Sequence, residues 1–263
     1  MANFNDLLKG IGKLLFGGSK STSWTYGDLN RKLAVWKENR IFPYLSNLPK
    51  SISFNKDFWD HIVQIYKKTQ SDGLERSISI FWVDGELVVT SIVTGTESKV
   101  TSKGVVSVKY DRDSNPKYYI KRIYVDDKEY SHERLYYENI PKKTDLKYLF
   151  NLHTHPPREQ GTRWYTEVQT EKLAGADPSA YSFFSATDIK SQVKTGSAIS
   201  GLVTDRLWIL IRSSETPNYV DYIEDKDMNV EFLVDKLHFA VYEGYFWESL
   251  HRRRGSMLDE EIE

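Results

Sequence analysis

The chain has 263 residues, of which 40% are hydrophobic and 28% charged, and its formal net charge at pH 7 is −1. This length suffices for one substantial core with extensions or for two small domains, and the near-neutral charge offers no global basic field for nucleic acid. Cysteine is absent, which excludes a disulfide framework, a cysteine nucleophile and thiolate metal ligands.

Residues 1–50 are predicted to be an N-terminal extension. It contains an amphipathic helix that Gly17-Gly18 ends and whose apolar face is made by Leu7, Ile11, Leu14 and Leu15. This helix either docks on the core or serves as a binding site for a partner protein. The chain has no apolar run of membrane-spanning length and no basic region of a secretory signal at its start. We therefore expect a cytoplasmic protein without a transmembrane segment.

The core is predicted to begin near residue 51, with a helix over residues 54–69 and a hairpin that turns at Asp84-Gly85. Glu75 lies between the helix and the first strand. A carboxylate at this entry point could take and release protons in catalysis. Taken alone, it fits a solvated surface glutamate better, and only its combination with the motifs below favours the catalytic role. Glu86 and Glu97 are alternative candidates for the same role.

A second hairpin is predicted over residues 118–137, where aromatic and basic residues alternate. The segment contains Tyr118, Tyr119, Lys121, Arg122 and Tyr124. Such interleaving is found on nucleic-acid surfaces. An ordinary half-exposed strand explains it better, and we expect no nucleic-acid partner.

The histidines of His153-Thr154-His155-Pro156 follow an apolar run that is typical of a buried strand. Because side chains alternate along a strand, His153 and His155 point the same way and Thr154 points opposite. Two imidazoles on one face can share a Zn²⁺ ion. The alternative is a pair of strand histidines with ordinary hydrogen bonds.

Ser185-Ala186-Thr187-Asp188 precedes a helical segment. Asp188 could be a third metal ligand, since catalytic zinc commonly has three protein ligands and an open position. The same four residues also fit a helix-capping arrangement, and both interpretations can hold at once. A helix start would fix Asp188 and leave the Ser185 hydroxyl beside the metal.

Residues 156–184 separate these groups of candidate ligands and form a long insertion. It is either a substrate lid or groove, in which Trp164 and Tyr165 would contact the substrate, or a loop that packs on the protein without contacting substrate. Residues 214–263 are predicted to contain a linker, an amphipathic helix from Val230 to Leu250 that could bind a partner, and an acidic tail.

In their order and local settings, these motifs resemble the JAMM, or MPN-plus, zinc metalloprotease family over about residues 50–213. The resemblance implies that Glu75 is the catalytic acid/base, that His153, His155 and Asp188 hold zinc, and that Ser185 helps to stabilise the oxyanion. The long insertion departs from the family pattern, as does the sequence that follows Glu75. The implied fold is α+β: a mixed sheet flanked by helices over residues 51–213, with helical extensions at both ends.

By this resemblance the expected function is zinc-dependent hydrolysis of an amide bond at the C-terminal tail of a ubiquitin or ubiquitin-like modifier. The alternative is a non-catalytic interaction module of the same fold in a larger complex. The filled set of motif positions favours the enzyme.

Overall fold

A computed structural model describes residues 23–97, 99–101, 104–156 and 183–255. The predicted amphipathic helix near the N-terminus, Trp164 and Tyr165 of the insertion, and the acidic tail lie outside these residues. Within them, three α-helices are present: α1 (Tyr26–Asn39), α2 (Lys56–Asp72) and α3 (Ala186–Thr195).

The described strands are β1 (Ser23–Thr25), β2 (Ser51–Ser53), β3 (Arg76–Val83), β4 (Glu86–Val89), β5 (Val93–Thr94), β6 (Val106–Arg112), β7 (Tyr118–Val125), β8 (Lys128–Tyr136), β9 (Leu146–Thr154), β10 (Ile199–Val203), β11 (Leu207–Arg212), β12 (Phe239–Gly244) and β13 (Leu250–Arg252). Short helical turns lie at Leu45–Asn47, Tyr137–Asn139, Asp225–Asp227 and Phe232–Lys236.

Ten of these strands form one mixed sheet, in the order β1-β2-β13-β12-β11-β10-β9-β3-β4, with β5 paired to β3. The β9–β10 and β1–β2 pairs are parallel, and the remaining pairs are antiparallel. Strands β6, β7 and β8 form a separate antiparallel sheet. The predicted α+β class with a mixed sheet is confirmed at this level.

Helices pack on both faces of the large sheet. One face packs against α1 and α2, and its core includes Ile209 and Tyr242. The other face packs against α3, and its core includes Leu210 and Val241. Adjacent residues of β11 and of β12 thus enter different cores, as the period of two along a strand requires. Strand β9, which carries the predicted metal ligands, lies well inside the sheet between β3 and β10.

The predicted helix from Val230 to Leu250 is wrong. This stretch forms a π-helical turn (Phe232–Lys236) followed by β12 and β13. The first four residues of β12 are all buried, so the strand has no polar alternation that would separate it from a buried helix. His238 and Trp247, with φ of 54° and 72°, lie in the left-handed region and interrupt any continuous helix.

The large sheet also runs across both predicted domain boundaries. Strand β1 precedes the first boundary, and β12 and β13 follow the second. Strand β13 lies between β2 and β12, so the C-terminal segment is inserted beside the first strand of the predicted core. Helix α1, in the segment predicted as an N-terminal extension, contributes Leu29 and Leu33 to the main core. The described parts of both segments therefore belong to the core rather than to helical extensions.

The basic residues of β7 are paired with carboxylates. The Lys121 ammonium lies 2.9 Å from Asp84, and both side chains are almost fully buried. Arg122 contacts Asp111 at 3.1 Å and Glu129 at 2.6 Å. This pairing favours the interpretation of β7 as an ordinary half-exposed strand. Separately, none of the described helices has the length and apolar character needed to cross a bilayer.

We predict that Tyr242→Phe destabilises the protein by about 1–2 kcal/mol. The fully buried Tyr242 hydroxyl donates to the Pro49 carbonyl at 2.7 Å, and its removal leaves that buried acceptor without its donor. Urea denaturation measures the change, with Tyr219→Phe as the control because Tyr219 is 66% exposed. Equal stability of the two variants would contradict the prediction.

Candidate metal centre

Strand β9 delivers both histidines to the same side of the sheet. His153 pairs with Ser77 of β3 and with Leu202 of β10, so its backbone is fixed on both sides. The ladder continues one residue beyond the strand, where the His155 amide donates to the Val203 carbonyl at 3.2 Å. The histidines therefore stand on a buried, doubly paired segment, and their relative position is set by the sheet.

Three potential ligand groups converge here: His153, His155 and Asp188. The two histidine Nε2 atoms are 3.3 Å apart. Asp188 Oδ1 lies 3.3 Å from His153 Nε2, and Asp188 Oδ2 lies 3.6 Å from His155 Nε2. Ligands at about 2.0–2.2 Å from a tetrahedral zinc are roughly 3.3–3.6 Å from one another. The group has the size of a tetrahedral metal site and could bind a metal ion.

The start of α3 fixes the Asp188 carboxylate. Ser185 is the N-cap, and both its backbone N–H (2.9 Å) and its hydroxyl (2.8 Å) donate to Asp188 Oδ2. In return, the Asp188 N–H donates to the Ser185 hydroxyl at 3.2 Å. The capping interpretation of this motif is confirmed and is compatible with the ligand interpretation, because Oδ1 is left for a metal. The Ser185 hydroxyl is engaged with Asp188 rather than simply exposed.

The charges of the group are strongly coupled. Burial of the His153 imidazole opposes its protonation, but the charge and hydrogen bond of Asp188, with a contribution from Glu75, raise the pKa of His153 overall. Burial also opposes ionisation of Asp188, yet the two histidines and Ser185 hold the pKa of this carboxyl well below its usual range. A cation is therefore favoured at the centre of the group, and a metal ion would replace the proton.

Glu75 lies beside this group, one residue before β3. Its side chain is buried, and its charge acts on the His153 imidazole. The backbone is held on both sides, because the Glu75 N–H donates to the Thr96 carbonyl at 2.8 Å and the Gly95 N–H donates to the Glu75 carbonyl at 2.9 Å. A fixed backbone limits the positions that the carboxylate can reach.

A cavity of about 1480 Å³ opens in front of the site and is lined by Glu75, His153, His155, Ser185 and Asp188 among others. The alternative glutamates do not line it. Glu86 is exposed at the start of β4, opposite Val83 at the other end of β3, and Glu97 lies in the loop after β5. The structure thus brings together the five residues singled out for the metal and its chemistry, with Glu75 as the nearby glutamate.

Several polar residues of the cavity were missed in the sequence, among them Asn151 and Asp225. Asn151 lies two positions before His153 on β9, so the period of two that pairs the histidines also predicts its orientation. Asp225 accepts a hydrogen bond from the Ala186 N–H at 2.7 Å and so supports the start of α3. No local sequence signal links Asp225 to a helix 39 residues earlier.

Comparison with known proteins adds no relative: no family model, curated protein or solved structure matches the chain. The resemblance to JAMM metalloproteases therefore depends on the motifs, and the functional argument depends on the site.

We predict about one zinc ion per purified chain and its loss in Asp188→Ala, because two imidazoles alone leave the site a ligand short. Metal content is measured by mass spectrometry. Asp205→Ala is the control, since this carboxylate pairs with Arg206 in the β10–β11 turn and does not line the cavity. Equal zinc in both variants would remove Asp188 from the site, and a wild-type protein without metal would refute the zinc assignment.

Zinc should stabilise the protein more strongly as the pH rises. In the metal-free protein the pKa of His153 is raised above its value of about 6.5 in the unfolded chain. Protonated His153 therefore stabilises the folded protein fully below about pH 6.5, and this stabilisation is lost as the pH rises through the pKa of the folded state. Zinc needs neutral imidazoles, so it competes with protons at low pH. The difference in Tm with and without zinc should therefore grow between about pH 5.5 and pH 8. A pH-independent difference would contradict this competition.

Proposed function

We propose that this protein is a zinc-dependent hydrolase of amide bonds, with the isopeptide bond at the C-terminal tail of a ubiquitin-like modifier as the favoured target. The observation that carries the proposal is the convergence of His153, His155 and Asp188 on one point of an open cavity that Glu75 also lines. A purely structural metal site would be closed by a fourth protein ligand and would need no glutamate beside it.

The ligand set suits zinc. Two histidines and one carboxylate match the three-ligand arrangement of catalytic zinc sites. When bound, zinc lowers the pKa of a coordinated water to about 7 and polarises a carbonyl oxygen. His153 is oriented by its hydrogen bond with the Gly201 backbone, and Asp188 is oriented by Ser185. Such supporting hydrogen bonds fix the ligand geometry before the metal arrives.

In this proposal Glu75 carries the proton. Its carboxylate takes a proton from the attacking water and delivers it to the departing amine, so that the leaving group departs neutral. The Glu75 side chain is buried and interacts electrostatically with the His153 imidazole, and the Glu75 backbone is held by Gly95 and Thr96. General acid–base catalysis of this kind contributes about 10²–10⁴-fold in rate.

Ser185 has two possible tasks in the same reaction. Its backbone N–H and its hydroxyl both donate to Asp188 Oδ2. Because the N–H bond alone can keep Asp188 in place, the hydroxyl can rotate towards an oxyanion that forms on the substrate carbonyl. A donor of this type is worth about 2.7–4 kcal/mol in other hydrolases.

The cavity favours a polymeric substrate. Its volume of about 1480 Å³ exceeds the roughly 300–1,000 Å³ of common small-molecule sites. An extended peptide tail would fill such a space, and the motif resemblance points to the tail of a modifier protein. The alternative, a non-catalytic interaction module, gives no reason for Glu75 to accompany a complete ligand set.

We predict that Glu75→Gln lowers turnover by at least about 10²-fold while zinc content and Tm are retained. Glutamine has nearly the same shape but cannot accept the proton. Activity is measured on isopeptide-linked ubiquitin-like conjugates and on short peptides with the same bond. Glu86→Gln is the matched control, because Glu86 is exposed and lies outside the cavity. An active Glu75→Gln enzyme would refute the role, and a wild-type protein inert toward every conjugate would favour the interaction module.

A further inference from the structure

The cavity extends well beyond the metal centre along β9. The residues of this strand that line it are Tyr148, Leu149, Asn151 and His153. The six residues from Tyr148 to His153 span five steps, which correspond to roughly 17 Å of strand. Helix α3 forms a wall along about 10 Å of this length, since Asp188, Gln192 and Thr195 also line the cavity. The space is therefore a channel as long as an extended segment of about five residues.

The two ends of this channel differ in charge. The carboxylates that line it, Glu75, Asp188 and Asp225, all belong to the metal end. One cation, Lys99, also lines the cavity near that end, where its carbonyl accepts a hydrogen bond from Thr96 beside Glu75. At the other end, the last turn of α1 contributes Lys37 and Arg40, and no described carboxylate lines the cavity there. Of the described residues, none forms an ion pair with either cation.

Lys37 is exposed, but its ammonium group is held in place. Its ammonium group donates to the Tyr148 carbonyl and lies 4.7 Å from the centre of the Tyr148 ring. Although the side chain is exposed, desolvation by the neighbouring protein lowers the pKa of Lys37, and no described carboxylate compensates its charge. An anion at this position would supply that compensation.

Capping of α1 does not account for the two cations. The backbone N–H of Arg40 already bonds to the carbonyls of Trp36 and Lys37, so the helix end is satisfied by the main chain. Arg40 adopts the left-handed conformation, with φ of 53°, where glycine would be less strained. Its side chain is thereby kept at the rim of the cavity.

We propose that Lys37 and Arg40 form an anion subsite that binds an acidic side chain of the substrate about five residues from the scissile bond. This inference rests on the proposed function and specifies its substrate class: a tail with one acidic residue at that distance. Asn151, halfway along the floor, can pair with the peptide backbone through its amide. The subsite makes the described N-terminal helix part of substrate recognition.

Binding of synthetic peptides tests the subsite without requiring turnover. The probes are fluorescein-labelled nonapeptides of Gly, Ser and Leu in which one Glu, or one Gln as the neutral match, occupies each position in turn. Fluorescence anisotropy measures their affinity for the Glu75→Gln protein. We expect Glu to bind about ten-fold more tightly than Gln at one position only, because a charge-assisted contact is position-specific.

Variants of the two cations identify the source of this preference. The ten-fold ratio should fall to near one in Lys37→Met/Arg40→Gln and should survive in Lys37→Arg, which keeps the charge. Lys32→Met is the matched control, because Lys32 is also on α1 but lies over Trp24, outside the cavity. If thermal melting shows that the double variant is unfolded, the single variant Arg40→Gln, at an exposed position, is measured instead. Its ratio of Glu to Gln affinity is expected to fall two- to three-fold.

Several results would overturn the subsite: no Glu preference at any position, no peptide binding at all, an unchanged ratio in the folded cation variants, or an equal loss in Lys32→Met. Zinc content and turnover of the wild-type protein are measured in parallel. A preference for Glu in a protein without turnover would support the anion subsite and contradict the proposed hydrolase function. Turnover without that preference would support the hydrolase function and contradict the subsite.

Discussion

A single buried hydroxyl connects the parts of the candidate site. Thr154 lies between the two histidines and points to the opposite side of the sheet, where its Oγ1 accepts a hydrogen bond from the Arg76 N–H at 2.8 Å. The same atom lies 2.7 Å from the Thr69 hydroxyl in the last turns of α2. Helix α2, the start of β3 and the histidine strand thus meet at one atom. The position of Glu75 relative to the histidines follows from this contact.

The short connection from α2 to β3 is fixed by charge as well. The Arg76 guanidinium bonds to both oxygens of Asp72, at 2.8 and 2.5 Å, and to the Leu74 carbonyl at 2.9 Å. This pairing holds the pKa of Asp72 below its ordinary value. Gly73, with φ of 71°, allows the chain to leave the helix. Glu75 lies three residues after the end of α2, and its backbone is consequently held rigidly on both sides. A rigid backbone suits a carboxylate that must accept a proton at a fixed position.

The site was more predictable from sequence than the fold around it. The two histidines follow from the period of a strand, and the placement of Asp188 follows from a capping motif that spans four residues; both signals are local. The mistaken C-terminal helix arose where local signals fail, since Phe239 to Tyr242 are buried on both faces of the sheet. Likewise, nothing near Lys37 or Arg40 indicates that α1 would reach a cavity whose metal ligand candidates lie more than a hundred positions later.

The resemblance to a family motif and the geometry of the site are independent kinds of support. The motif names residue types in a given order. The structure adds that the ligand atoms lie at the spacing of a tetrahedral metal, that Asp188 is oriented by Ser185, and that Glu75 lines the same cavity. Zinc and the reaction remain proposals, and the metal content of the protein decides the first of them.

The place of β13 in the large sheet bears on how the protein is made. This strand of three residues near residue 250 fills the gap between β2 and β12, two strands that are far apart in the sequence because residues 54–238 lie between them. During synthesis the ribosome releases all the ligand residues before this strand exists. Until it arrives, β2 and β12 each present an unpaired edge, which invites pairing with other chains. The sheet can therefore be completed only late, after the C-terminal strand β13 has been synthesised. Strand β13 is also what joins β1 and β2 to β12.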